Sequence, residues 1–319
     1  MDGPNATLGN QSALDPASES ADALATLFWW MVGGSILVWL IVIGLAVYAV
    51  FVKPSKAHDP GKTVFWIIGG GVAFPTVVLA GLLAYGLWML PDLMARAPEG
   101  SLRVHVSGEM WWWRVEYELP DGRRFRSDNE IRLPVGEPVQ FVLTSGDVIH
   151  SFWIPALGGK VDMIPGRTSH LALEPTRVGR FRGVCAEFCG ASHALMAFDV
   201  VVTERADFDE WAERQGEVER KPGSIGEQFA LGAEVFSKSG CGACHAVDGR
   251  AQDGVVGPDL TRFGSRLSLG AGTLPNDSGS RRRWLVETDV VKPGVLMPHY
   301  GHLSDEEIAA LVGYLGGLR

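Results

Sequence analysis

Two long stretches without a charged side chain constrain this chain most. Residues 27–52 hold no Asp, Glu, Lys or Arg over 26 positions, and residues 63–91 hold none over 29. A helix needs roughly 20 apolar residues to cross the hydrocarbon of a bilayer. Both runs are long enough to span with some tilt. Buried core helices of a soluble protein are the competing reading, but uncharged runs of this length point to membrane spans. Gly69, Gly70, Gly71 and Pro75 lie inside the second run. Spanning helices tolerate such residues where neighbours satisfy the freed backbone groups.

The basic residues set the orientation. The first 52 residues contain no Lys or Arg, whereas the short connection carries Lys53, Lys56 and Lys62. Short Lys-rich loops stay in the cytoplasm. Two spans with both termini on the outer face of a bacterial plasma membrane are therefore expected. The start lacks the charged, short-cored pattern of a signal peptide. Residues 1–24 read as an acidic, mobile external tail, and residues 25–95 as a transmembrane helix hairpin.

The net charge of −9 is spread along the chain and not gathered into a patch. That distribution argues against nucleic acid as a partner. Residues 96–207 read as an all-β domain. Leu102, Val104 and Val106 alternate with polar residues, Pro120-Asp-Gly122 marks a turn, and residues 139–143, 148–154 and 198–202 are short β-prone runs. Several such strands suggest a sandwich or barrel. Residues 208–224 read as a polar helical linker. Residues 225–319 return to helical spacing, with Ser304 and Glu307 forming a capping box before the last helix.

Cys241-Gly-Ala-Cys244-His245 has the spacing of a c-type haem attachment site. The two thiols bond the haem vinyl groups, and His245 reaches the iron. Half a zinc site or a redox dithiol is the alternative, but neither needs a histidine directly after the second cysteine. A sixth ligand is expected from Met297, the one methionine after the motif. His299 and His302 compete with it. A thioether ligand raises the potential. Here residues 225–319 resemble class I cytochromes c, whose axial methionine precedes a proline as Met297 precedes Pro298.

The other two cysteines lie in Cys185-Ala-Glu187-Phe-Cys189-Gly-Ala-Ser-His193-Ala-Leu-Met196. A disulfide or a zinc site would use the cysteines. The nearby methionine favours copper, because thioethers are soft ligands. Two thiolates can bridge two copper ions, and a second histidine is then needed from His105, His150 or His170.

At Asp147-Val-Ile-His150-Ser151, Ile164-Pro-Gly-Arg167 and the Cys185–Met196 motif, the sequence resembles subunit II of the haem–copper oxidases over roughly residues 25–205. That resemblance implies a cupredoxin-like fold and a dinuclear CuA centre. Its ligands would be His150, Cys185, Cys189, His193, Met196 and the backbone carbonyl of Glu187. It also implies that the Glu187 carboxylate helps bind magnesium at the boundary with the catalytic subunit. By alignment within Gly108-Glu-Met-Trp111-Trp112-Trp113, Trp111 takes the position where electrons come in from cytochrome c. Large aromatics in a β domain also serve as plain packing.

The order of parts resembles subunit II of the cytochrome-c-fused terminal oxidases. Tethering keeps a redox partner at high effective concentration. The implied route runs from external cytochrome c or another donor to haem c, then CuA, then the haem–copper catalytic subunit I. The whole complex would reduce oxygen and translocate protons, while this chain relays electrons. One departure stands out. Asp59-Pro-Gly-Lys-Thr-Val-Phe-Trp66 lacks the glutamate that feeds protons in many members, leaving His58 and Asp59 nearby. A nitric oxide reductase with a CuA subunit and a membrane-anchored carrier without a catalytic partner are the alternatives. A nitrous oxide reductase would need a His-rich copper domain, and the chain has 8 histidines.

Overall fold

The computed structural model describes residues 9–52, 60–218, 226–247 and 256–319. Lys53, Lys56, His58, Asp59 and the end of the expected linker, residues 219–224, lie outside the described residues. So do the first eight residues of the expected tail.

The uncharged runs are helical over Glu19–Val52 and Gly61–Leu93. Neither helix presents an apolar stripe against a polar face. Trp29, Trp30, Phe65 and Trp88 are among many large apolar side chains that stand exposed. A helix apolar on every side is stable only in a core or in lipid. These helices are long and apolar enough to cross a membrane.

The remaining compact unit is formed by the described residues within 1–22 and 96–319. Ten strands form two five-stranded sheets. The first sheet has the order β3–β2–β1–β5–β8, with β1 Leu102–Glu109, β2 Trp112–Glu118, β3 Arg124–Arg126, β5 Val139–Ser145 and β8 Ser169–Leu173. The second has the order β4–β10–β9–β6–β7, with β4 Glu130–Pro134, β6 His150–Trp153, β7 Val161–Met163, β9 Gly179–Cys185 and β10 Ala197–Thr203. Alternation buries Leu102, Val104 and Val106 of β1. Facing them across the sandwich are residues such as Phe152 and Phe198, whose rings stack 5.0 Å apart. Trp113 meets both rings edge-on. This rigid core supports the ends of β6, β9 and β10, where the candidate ligands sit.

Two segments differ from expectation. The external tail is held from Asn10 onward: Asn10 bridges Phe181, and Ala17 and Ser18 are buried on the sandwich. Short polar side chains hide this, because Ser18 packs by donating a hydrogen bond to the Leu157 carbonyl. The helix Arg205–Val218, read as a polar linker, docks on the sandwich through buried Phe208, Trp211 and Ala212. The Trp211 ring meets Tyr117 at 5.2 Å and Phe125 at 5.3 Å.

The C-terminal part is helical, with a core of its own around Val235, Phe236, Ile308, Leu311 and Tyr314. The capping box of Ser304 and Glu307 opens its last helix, Asp305–Gly317. This domain meets the sandwich through buried carboxylates. Asp128 accepts a hydrogen bond from the Asp259 backbone N–H at 2.7 Å, and Glu130 accepts one from Leu267 at 2.9 Å. Asp199 takes the Ser268 hydroxyl.

Candidate functional site

Cys185 ends β9, Met196 directly precedes β10, and the loop between carries Glu187, Cys189 and His193. His150 opens β6, which pairs with β9. The two sheet ends thus bring residues 35 positions apart into one cluster. The Cys185 and Cys189 sulfurs are 3.7 Å apart. His150 Nδ1 lies 3.8 Å from Cys185 Sγ, and His193 Nδ1 lies 3.6 Å from Cys189 Sγ. Met196 Sδ is 3.8 Å from Cys189 Sγ, and the Glu187 carbonyl is 3.2 Å from Cys185 Sγ. Each thiol has its own histidine, and one weaker donor stands at each end of the pair. Of the three histidines offered by the sequence, His150 is the one in the cluster.

The surroundings fix the candidate ligands. His150 is fully buried, and its Nε2 is 2.8 Å from Asp147 Oδ1, which leaves Nδ1 turned to the sulfurs. Outer hydrogen bonds of this kind set the tautomer of a ligating histidine. Burial works against protonation of His150, but Cys185 and Asp147 outweigh it and raise its pKa. A Cβ on Gly108 would lie 2.7 Å from the His150 ring, so only glycine lets β1 pass there. The Cys189 thiol, chiefly, holds Cys185 far below the usual thiol range, and Cys185 in turn, chiefly, pushes Cys189 up. Thiolates beside imidazoles and a thioether form a donor set for soft metals, and this set fits two coppers bridged by the thiolates.

Glu187 plays a narrower part. Its side chain is half-exposed and lies 3.8 Å from the Lys160 ammonium. Among the described residues, the cluster of three or more His, Cys or carboxylate donors is the one at His150, Cys185 and Cys189. Among the described residues, no such cluster includes Glu187.

A second site lies in the C-terminal domain. A cavity of about 360 Å³ is lined by Cys241, Cys244, His245 and Met297. His245 Nδ1 donates to the Pro258 carbonyl at 2.8 Å, leaving Nε2 for the cavity, and burial keeps the ring neutral. A Cβ on Gly257 would meet that ring at 2.6 Å. Met297 Sδ accepts the Trp284 indole N–H at 3.3 Å. Met297 lines the cavity, whereas His299 and His302 are exposed and do not line it. Apolar walls, two thiols, a neutral imidazole and a facing thioether suit a covalently held haem.

Both comparisons by sequence agree with this geometry. Residues 119–204 match the family described as cytochrome C oxidase subunit II, periplasmic domain, and residues 229–319 match the cytochrome c family. The chain joins a cytochrome c oxidase subunit II domain to a cytochrome c domain. It is 40% identical to cytochrome c oxidase subunit 2 of Alkalihalophilus pseudofirmus over 69% of this chain and 62% of that protein. It is 36% identical to the Bacillus subtilis protein of the same name over 72% of this chain and 65% of that protein. The chain thus spans under two thirds of the length of these relatives. The periplasmic domain of subunit II from Bradyrhizobium japonicum is 32% identical and aligns with 38% of this chain and 97% of its own length, at a TM-score of 0.36.

The subunit II domain meets the cytochrome c domain at Trp111. Its indole N–H donates to the Cys189 carbonyl at 2.9 Å, and its ring also lines the cavity that holds Cys241 and His245. Gly190 and Gly294 pack on the indole, one from the cysteine loop and one from the Met297 loop. Lys292 lies beside it, 1% exposed, donating to the carbonyls of Trp111 at 2.7 Å, Leu195 at 2.9 Å and Gly270 at 2.7 Å. Burial pushes its pKa down to about 7. Sequence reading reached Trp111 through the aromatic run but missed Lys292, which carries no local signature. Asp147 was legible inside Asp147-Val-Ile-His150, where its link to His150 spans three residues.

Proposed function

We propose that this chain is the electron-input subunit of a haem–copper terminal oxidase. It would take electrons from an external donor and pass them to a catalytic subunit that reduces oxygen to water. His150, Cys185, Cys189, His193, Met196 and the Glu187 carbonyl would hold the dinuclear copper, and Cys241, Cys244, His245 and Met297 the haem. Bound there, the two groups supply one-electron exchange with little change of geometry. The sandwich core supports the ligands from behind, so their positions do not depend on the metal alone. Trp111 is the bridge between the sites, and both redox domains would face the periplasm.

The position of Trp111 carries this reading: one indole is hydrogen-bonded to the cysteine loop and lines the haem cavity. A relay needs its two centres close and rigidly held, and the buried contacts of Asp128, Glu130, Asp199 and Lys292 supply that rigidity. The test uses the full chain purified in mild detergent. Metal analysis should give two coppers per haem, with electron paramagnetic resonance of one unpaired electron shared between them. A many-span haem protein should co-purify and consume oxygen. One copper or zinc per chain would exclude bridging thiolates, and consumption of nitric oxide in place of oxygen would move the chain to a different complex.

A further inference from the structure

A cleft of about 270 Å³ lies where the sandwich, the helix Arg205–Val218 and the cytochrome c domain meet. Six arginines line it: Arg126, Arg132, Arg214, Arg262, Arg266 and Arg319. Glu130 is the one carboxylate among the lining residues. In a chain of net charge −9 this concentration does not follow from composition.

The local carboxylates answer only part of the charge. Arg126 pairs with Asp128 at 2.6 Å, Arg132 with Glu130 at 2.9 Å, and Arg214 with Glu210. Asp128 and Glu130 also accept the backbone N–H groups of Asp259 and Leu267. Arg266 and Arg319 donate to the carbonyls of Asp259 and Gly316, which carry no formal charge. The Nε–H groups of Arg126 and Arg266 are buried without an acceptor among the described residues. Such a group costs about 1–3 kcal/mol while unmet.

We propose that this cleft binds a compact phosphoryl polyanion of the pyrophosphate type, and that the ligand fastens the cytochrome c domain to the sandwich. Guanidinium forks match phosphoryl oxygens in pairs, with direction as well as charge. The volume lies below the roughly 300–1,000 Å³ of pockets for drug-sized molecules, which favours a charged head group. The arginines come from both domains and from the docked helix. A ligand touching all of them binds the closed arrangement and stabilises it by mass action.

The same chemistry is offered by free pyrophosphate and by phosphatidic acid in a bilayer. The test is calorimetric titration of sodium pyrophosphate into the metal-loaded full chain, in neutral detergent at low chloride. A second arm compares nanodiscs with and without phosphatidic acid. One site is expected, weakening with chloride and weakening at least about tenfold, or about 1.4 kcal/mol, in the double variant Arg214→Gln, Arg319→Gln. Arg205→Gln removes one charge from the same helix but from outside the cleft lining, and should leave binding unchanged. Amide exchange across residues 126–132 and 259–267 should slow on binding. Binding of pyrophosphate identifies a soluble ligand, and binding confined to phosphatidic acid nanodiscs identifies a lipid head group; each supports the site. Absence of binding in both arms, undiminished binding by the double variant, or an equal loss in Arg205→Gln overturns it.

Discussion

Lys292 places a titratable group where water scarcely reaches, between the two candidate sites. Replacing it with Met leaves three buried carbonyls, those of Trp111, Leu195 and Gly270, without their donor. Each unmet acceptor costs about 1–3 kcal/mol, while removing a buried charge returns part of that. A net loss of about 2–4 kcal/mol is expected for Lys292→Met by denaturant titration at neutral pH. The pH dependence has a definite sign. The native pKa near 7 lies below the ordinary 10.5, so the unfolded chain binds more protons between those values. Stability from this group therefore rises as pH climbs from 7 toward 10.5, and it is lowest below 7. Wild-type stability minus that of Lys292→Met should increase between pH 7 and pH 9; a flat difference would mean that Lys292 keeps one charge state throughout. Cys189→Ser makes a second residue-scale test. It removes a sulfur that stands within 3.8 Å of Cys185, His193 and Met196. Copper content should fall from two ions to one or none per haem by metal analysis, with haem content unchanged.

At the scale of single elements, the helix Arg205–Val218 is the clearest case. Its sequence is polar overall, and the apolar positions Phe208, Trp211 and Ala212 make only a narrow stripe at helical spacing. That stripe is nonetheless buried, and the Arg132 guanidinium lies over the Trp211 ring, 5.3 Å from its centroid. Trp211→Ala should cost about 3–5 kcal/mol, the range for deleting a buried large aromatic, read as a lower melting transition of the β domain. A free linker would show no change. Strands were legible where burial alternates, as in β1, and where a short β-prone run is buried, as in β5. Residues 148–154 were only partly so, because the strand begins at His150. Val148 and Ile149 are exposed, and the Ser145 hydroxyl takes the Val148 carbonyl that a ladder would otherwise use. The terminal helix was legible from its cap, since the Ser304–Glu307 exchange is entirely local.

The two candidate sites were legible as motifs at the scale of the molecule because most of their residues are close in sequence. Cys185 to Met196 and Cys241 to His245 each lie on one short loop, and one distant histidine completes the first set. The junction between the domains was not readable. Its contacts join residues 69 to 181 positions apart, such as Asp199 with Ser268 and Trp111 with Lys292, and no periodicity records such pairs. On the proposed function, that junction would set how electrons enter. Trp111 is only 8% exposed, with Gly294 of the cytochrome c domain packed on its indole. A soluble donor has no face of the indole to dock on, so it should reduce the haem first and the copper only through the chain. Rapid mixing of the oxidised full chain with a reduced soluble cytochrome should show the haem band rising before the copper band bleaches. Trp111→Phe keeps the aromatic ring but loses the hydrogen bond to Cys189, worth about 1 kcal/mol. It should slow the second phase about tenfold and leave the first unchanged. Simultaneous reduction of both bands, or equal slowing of both phases, would mean that the donor reaches the copper site by a different face.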